Sequence, residues 1–245
     1  MRNIKLILQF DGGAYHGWQR QKNALTVQEI MEKALGKITG EKISVSGCGR
    51  TDAGVHARGF VCNFHTECKI PAGRMAYALN VRLPEDIVCV ASEETAPDFD
   101  SRISATSKRY TYLIQNSDFP DVFMHDRAWY YKFPLDVEKM QKAAEGFLGE
   151  HDFIGFAASG FTVKTTVRTI YSLDVAKDGD MIKIDVCGNG FLYNMVRIIA
   201  GTLVFCGIGR IDWRDIPDII ASCDRKRAGI TAPACGLYLS EVFYK

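Results

Sequence analysis

The densest cluster of chemistry-bearing residues is Gly47-Cys48-Gly49-Arg50-Thr51-Asp52-Ala53-Gly54-Val55-His56-Ala57. Its glycines mark a tight backbone, tolerant of positive φ and of close ligand approach. A lone carboxylate on such a loop can act as a covalent catalyst. Arg50 is near enough in sequence to hold or position the Asp52 carboxylate. A glycine turn with Asp52 as an Asx-turn residue fits the same pattern, and local sequence leaves both readings open.

Arg197 stands in the otherwise apolar run Phe191-Leu192-Tyr193-Asn194-Met195-Val196-Arg197-Ile198-Ile199-Ala200. A guanidinium buried there needs a partner. Pairing with Asp52 would keep that carboxylate ionised as a nucleophile. Snorkelling of Arg197 to the helix edge is the alternative. In Ser107-Lys108-Arg109-Tyr110-Thr111-Tyr112-Leu113, strand alternation puts Tyr110 and Tyr112 on one face and Arg109 on the other. They form either two core tyrosines or an aromatic platform for a base. The loop Phe10 to Gln21 mixes glycines, aromatics and amides, and reads as a mobile RNA-contacting loop or an ordinary Ω-loop.

The elements that must position these residues follow from periodicity. Ile4, Leu6, Leu8 and Phe10 alternate as a strand. Thr26-Val27-Gln28-Glu29 reads as a capping box for a helix with Val27, Ile30, Met31, Ala34, Leu35 and Ile38 on one face. Strands are expected over Lys42–Cys48, Gly59–His65 and Ile87–Ala91, with a helix over Ala72–Leu83 stopped by Pro84. The first half is therefore β-α-β-β-α-β, the split ferredoxin-like order. The second half repeats it loosely. Strands fall at Lys108–Gln115 and Ala128–Phe133, a helix at Asp136–Leu148, and a hairpin joins Thr166–Ala176 to Met181–Cys187. An apolar helix over Phe191–Phe205, a more polar one over Trp213–Ser222 and a closing strand over Leu237–Phe243 complete it. The expected fold is α+β: two ferredoxin-like units with joined, mostly antiparallel sheets and helices packed on the sheet. The expected domains are 1–104, carrying the Asp52 loop, and 105–245, with the active-site cleft between them.

Composition narrows the class. The chain has 245 residues, 47% hydrophobic and 24% charged, which excludes a disordered chain and leaves enough material for a sizeable core. No apolar run reaches the roughly 18 residues of a membrane span. The start lacks the pattern of a signal peptide, so a cytoplasmic protein is expected. The eight cysteines form no C-x-x-C pair, and most are expected to be buried reduced thiols. The five histidines show no metal-ligand spacing, and no metal is assigned. With a net charge of +1, any polyanion must be met by local patches. Lys42–Thr66 holds Lys42, Arg50 and Arg58 against Asp52 alone, while 101–117 and 155–173 hold basic residues and no acid.

Taken together, these stretches resemble the bacterial tRNA pseudouridine synthase A family. Gly49-Arg50-Thr51-Asp52-Ala53-Gly54-Val55-His56-Ala57 is similar to its catalytic motif residue for residue. Asp11-Gly12, Tyr15 and Gly17-Trp18-Gln19-Arg20-Gln21 are similar to its N-terminal loop. Lys108–Tyr112, Asn189-Gly190-Phe191 with Met195-Val196-Arg197, and Gly236-Leu237-Tyr238-Leu239 follow in family order. The resemblance implies Asp52 as nucleophile, Tyr110 stacked on the target uracil and Arg197 paired with Asp52. It implies that Arg50 and Arg58 bind the flipped nucleotide and nearby phosphates. It further implies isomerisation of uridine to pseudouridine at positions 38, 39 and 40 of the tRNA anticodon stem-loop, without cofactor or metal, by a homodimer with tRNA lying across both subunits. The chemistry fits a single carboxylate, where a hydrolytic glycosidase would use two. A pseudouridine synthase for another RNA, a non-catalytic tRNA-binding protein and a small-molecule enzyme on the same scaffold are the alternatives.

Overall fold

Alternation decides the first element. In the computed structural model, which describes residues 1–160 and 163–245, Ile4, Leu6, Leu8 and Phe10 are all buried along strand β1 (Arg2–Phe10). The chain continues through α1 (Val27–Thr39), β2 (Ser46–Gly47), β3 (His56–Thr66), α2 (Ala72–Asn80) and β4 (Ile87–Thr95). Next come β5 (Ala105–Gln115), β6 (Trp129–Tyr130), α3 (Val137–Glu145), β7 (Gly149–Asp152), β8 (Val167–Asp178) and β9 (Met181–Gly188). The helices α4 (Met195–Gly207) and α5 (Ile216–Ala221) precede the closing strand β10 (Leu237–Tyr244). Two compact units result: Met1–Thr106 together with Tyr238–Lys245, and Ser107–Leu237. Of the acid-free stretch 155–173, residues 161 and 162 lie outside the described residues.

In the first unit β1 runs antiparallel between β3 and β4, and β2 pairs antiparallel with β3. This is the split β-α-β-β-α-β arrangement read from the sequence. The expected strand over Lys42–Cys48 shrinks to β2 because side chains of α1 claim the Val45 backbone. The Val45 N–H donates to Glu32 Oε1 at 3.3 Å, and its carbonyl accepts from Gln28 Nε2 at 2.9 Å. From Tyr238 onward the closing strand packs with this first unit. Tyr238 pairs in parallel with His56, and Leu239 with Ala57.

Helix α1 buries Val27, Met31, Ala34 and Leu35, the face its periodicity predicts. Gly40, at φ 75°, ends it in the left-handed conformation, its N–H returning to the Gly36 carbonyl. The capping box does not form. Thr26 occupies the N-cap position, but its Oγ1 is buried with no hydrogen-bond partner. Glu29 instead pairs with Lys33 one turn along at 2.6 Å.

The second unit is a mostly antiparallel sheet in the order β5-β9-β8-β7, with β6 parallel to β5. The hairpin between β8 and β9 turns where the sequence places it, Asp178 facing Met181. Helix α3 is N-capped by Asp136, whose carboxylate accepts from the Lys139 N–H. It buries Met140, Ala143 and Ala144, packing against β8 and α4. Strand β7 carries no apolar alternation and gave no sequence signal. Helix α4 starts at Met195, four residues later than the apolar run predicts. Asn194 at φ 60° breaks the helical path there, so Phe191–Asn194 is a turn. Apolar residues surround α4 on all sides, and nearly all of them are buried.

Cys48, Cys62, Cys89, Cys187 and Cys206 are buried, whereas Cys223 is exposed. Burial pushes the Cys89 and Cys206 thiols up to about 12 and Cys62 well above the ordinary range. Native alkylation at pH 8 is expected to modify Cys223, with Cys62, Cys89 and Cys206 labelled only after denaturation. Equal labelling rates in peptide mass mapping would contradict this. The unfolded chain ionises these thiols near 9.0, before the folded one does. Their contribution is therefore intact below pH 9 and lost as pH rises toward about 12, and Tm should fall over that window.

Candidate active site

Asp52 opens a tight turn between β2 and β3. The Val55 N–H donates back to the Asp52 carbonyl at 3.1 Å, and Gly54 sits at φ 77°. Those are the marks of a type II turn, which needs glycine at its third position. Asp52 is half-buried between buried Thr51 and exposed Ala53.

The N-terminal loop braces this turn from both sides. Trp18 N–H donates to the Thr51 carbonyl at 3.3 Å, and Gly54 N–H donates to the Tyr15 carbonyl at 3.2 Å. Gly12 N–H donates to His56 Nδ1 at 3.0 Å. Two glycines make the approach possible. A Cβ on Gly12 would lie 2.0 Å from the Val55 carbonyl oxygen, and one on Gly17 2.1 Å from that of Thr51. Tyr15 and Trp18 are buried. Trp18 stacks on Phe60 at 4.1 Å, and the Tyr15 hydroxyl donates to Asp86 at 2.7 Å. The sequence leaves this loop as either an RNA-contacting element or an ordinary Ω-loop. Tyr15 and Trp18 anchor it to the first unit, and His16, Gln19 and Arg20 form its exposed side.

Arg50 and Arg58 are both exposed. Among the described residues Arg50 has no ion-pair partner. Arg58 lies over the ring of Tyr238 at 5.3 Å. Tyr238 also stacks on the buried His56 ring at 4.7 Å. His56 and Arg58 are spaced by two along β3, so both reach the same neighbour on β10.

In the second unit, β5 separates its two tyrosines. Tyr112 is fully buried, its hydroxyl donating to the Pro233 carbonyl at 2.7 Å. Tyr110 is half-buried, with its ring perpendicular to Phe191 at 5.2 Å. Tyr112 is thus a core residue, while Tyr110 is only half-buried. Arg197 falls in the first turn of α4, since the helix begins at Met195. Its Nε donates to the Ala232 carbonyl at 2.7 Å and its Nη1 to Asn194 Oδ1 at 2.9 Å. The Ala232 N–H returns to the Arg197 carbonyl at 3.1 Å. These bonds fix a half-buried guanidinium, which does not snorkel freely. Gly201 lets the segment around Ile230 and Ala232 run against α4, since a Cβ there would sit 2.0 Å from the Ile230 oxygen.

The structure thus places Asp52 and Arg50 in the β2–β3 connection and Arg58 on β3, all in the first unit. Tyr110 and Arg197 lie in the second unit, linked through the turn that carries Phe191. Sequence reasoning missed the bracing roles of Gly12, Tyr15, Gly17 and Trp18. Their partners lie tens of residues away, and the loop itself has no periodicity. Among the described residues no cluster of three or more His, Cys, Asp or Glu side chains could hold a metal ion, and no helix is long and apolar enough to cross a membrane.

A single carboxylate on a braced glycine turn, with exposed arginines beside it, defines a candidate covalent catalyst for an anionic substrate. The sequence pattern of the family described as tRNA pseudouridine synthase matches residues 6–102 and 143–245. The chain is 53% identical over 245 residues to "tRNA pseudouridine synthase A" of Ruminiclostridium cellulolyticum, covering all of both chains. It is 53% identical over 244 residues to the protein of that name from Acetivibrio thermocellus, and 49% identical over 244 residues to that from Thermoanaerobacter sp. strain X514, again at full coverage. The chain belongs to the tRNA pseudouridine synthase family, and is an enzyme of the isomerase class.

Proposed function

We propose that this isomerase converts uridine to pseudouridine at positions 38, 39 and 40 of the tRNA anticodon stem-loop, with Asp52 as the nucleophile. The observation that carries the reading is the Asp52 turn, fixed by hydrogen bonds from the N-terminal loop on either side of the carboxylate. The reaction breaks the N1–C1′ bond of uridine and forms a C5–C1′ bond. The C5 hydrogen leaves as a proton and N1 gains one, so the product is an isomer. One carboxylate suffices to hold the detached fragment covalently between those steps.

The other residues take roles that their surroundings support. The target base must leave its stack, at a cost of a few kcal/mol. Stacking on an aromatic ring returns about 1–3 kcal/mol, and the half-buried Tyr110 offers such a ring. Exposed Arg50 and Arg58 meet the flipped nucleotide and its phosphates. To Arg197, whose guanidinium is held by Ala232 and Asn194, we assign the role of the cation that keeps Asp52 charged in the working enzyme. Two copies of the chain act together on one tRNA, which sedimentation of the enzyme alone should reveal as a dimer.

The positions are tested by mapping pseudouridine in an unmodified tRNA transcript carrying uridine at 38, 39 and 40. Replacing each uridine by cytidine should remove only its own signal. Modification confined to uridines outside the anticodon stem-loop would overturn the assignment.

A further inference from the structure

Phe191 is the residue that the function does not yet absorb. It lies in the turn between β9 and α4, and its ring meets that of Tyr110 at 85° and 5.2 Å. Aromatic pairs favour this perpendicular arrangement over a face-to-face sandwich.

The turn is built to hold that ring in place. Asn189 N–H donates to the Thr169 carbonyl at 3.1 Å, and Thr169 N–H donates to Asn189 Oδ1 at 3.0 Å. The two residues thus clamp each other across the end of the β8–β9 hairpin. Gly188, paired with Lys108 on β5 and Ile170 on β8, leaves room for the ring. A Cβ at Gly188 would sit 2.7 Å from the Thr169 carbonyl oxygen and 3.3 Å from Phe191 Cζ. Beyond Phe191 the chain enters α4 at Asn194, which accepts from Arg197. The clamp at one end and the helix start at the other leave Phe191 little freedom.

We propose that Phe191 is a positioning residue. It sets the angle of the Tyr110 ring, so that the ring is already oriented when the uracil arrives. The inference rests on the reading of Tyr110 as the stacking platform. The perpendicular contact with Phe191 is one of the contacts that hold the half-buried Tyr110 ring on its strand. A ring fixed in advance spares the entropy of ordering it during base extrusion. Phe191 therefore acts on the rate of the chemical step, while tRNA affinity is set by the phosphate contacts.

The test is a double-mutant cycle under single-turnover conditions with tRNA transcript, alongside tRNA Kd and Tm. Phe191→Ala should slow the reaction by a few-fold to about tenfold, with tRNA Kd within twofold of wild type. Phe191→Leu should recover most of the rate by restoring the packing. Asn189→Ala, which loosens the clamp without touching the ring, should slow the reaction in the same direction. Tyr110→Ala should be slower still, and Tyr110→Ala/Phe191→Ala no slower than Tyr110→Ala alone. Loss of rate in Tyr110→Ala with a wild-type rate in Phe191→Ala would overturn the positioning role and leave the platform reading standing. Fully additive losses in the double variant would overturn it in the same way. A wild-type rate in Tyr110→Ala would overturn the platform reading, and the role of Phe191 with it.

Discussion

Asp52→Asn is expected to lose turnover by on the order of 10⁴-fold or more, while tRNA affinity stays within a few-fold of wild type. Asparagine has the shape of aspartate, so the turn closed by the Val55–Asp52 bond and braced by Tyr15 and Trp18 should survive. What is lost is a charged oxygen able to form a covalent bond. Affinity for RNA comes chiefly from phosphate contacts, a role proposed here for the exposed Arg50 and Arg58 and not for Asp52. Single-turnover kinetics with filter binding on the same preparation separates the two effects. A variant that turned over at a tenth of the wild-type rate would rule out Asp52 as nucleophile. Weakened binding in step with the lost rate would make Asp52 a binding residue.

Gly17→Ala is expected to have the next largest effect, although Gly17 is not proposed to touch substrate. Its φ of 79° is unfavourable for alanine by about 1–2 kcal/mol. The added Cβ would also stand 2.1 Å from the Thr51 oxygen, so either the N-terminal loop or the Asp52 turn must move. A displacement near 1 Å at a reacting group costs about 10²-fold in rate. The variant should therefore combine a lowered Tm with a kcat loss of that order. Gly40→Ala supplies the control. Its φ is 75°, but nothing lies within 4 Å of an added Cβ. It should lose only the backbone share of that stability and keep wild-type kcat. Equal kcat values for the two variants would show that the brace does not position Asp52.

These two positions also show what the sequence could and could not reveal. The tight turn at Asp52 is legible because its glycines are adjacent in the chain. The first unit's element order was legible because β1 and α1 each bury one face, and periodicity records a buried face directly. Gly17 was not legible as a brace, because its partner at Thr51 is brought near only by tertiary packing. The start of α4 was misplaced because Phe191 and Leu192 are as apolar as the helix that follows. Only the left-handed Asn194 marks the break, and asparagine also occurs inside helices. The reduction of β2 to Ser46–Gly47 follows from Gln28 and Glu32 competing for the Val45 backbone. Alternation within Lys42–Cys48 cannot express that competition. Tyr110 and Tyr112 have the same identity and face, and only the fold shows that Tyr112 is sealed while Tyr110 is not.

The proposed reaction exchanges a bond at N1 for a bond at C5 in a tRNA uridine. Tritium release from tRNA labelled with [5-³H]uridine reads that exchange directly, because the new C5–C1′ bond expels the label. The wild-type enzyme should release tritium to a plateau set by the number of modified uridines per tRNA, with no other component added. Stoichiometric binding of the labelled tRNA with no tritium released would contradict it.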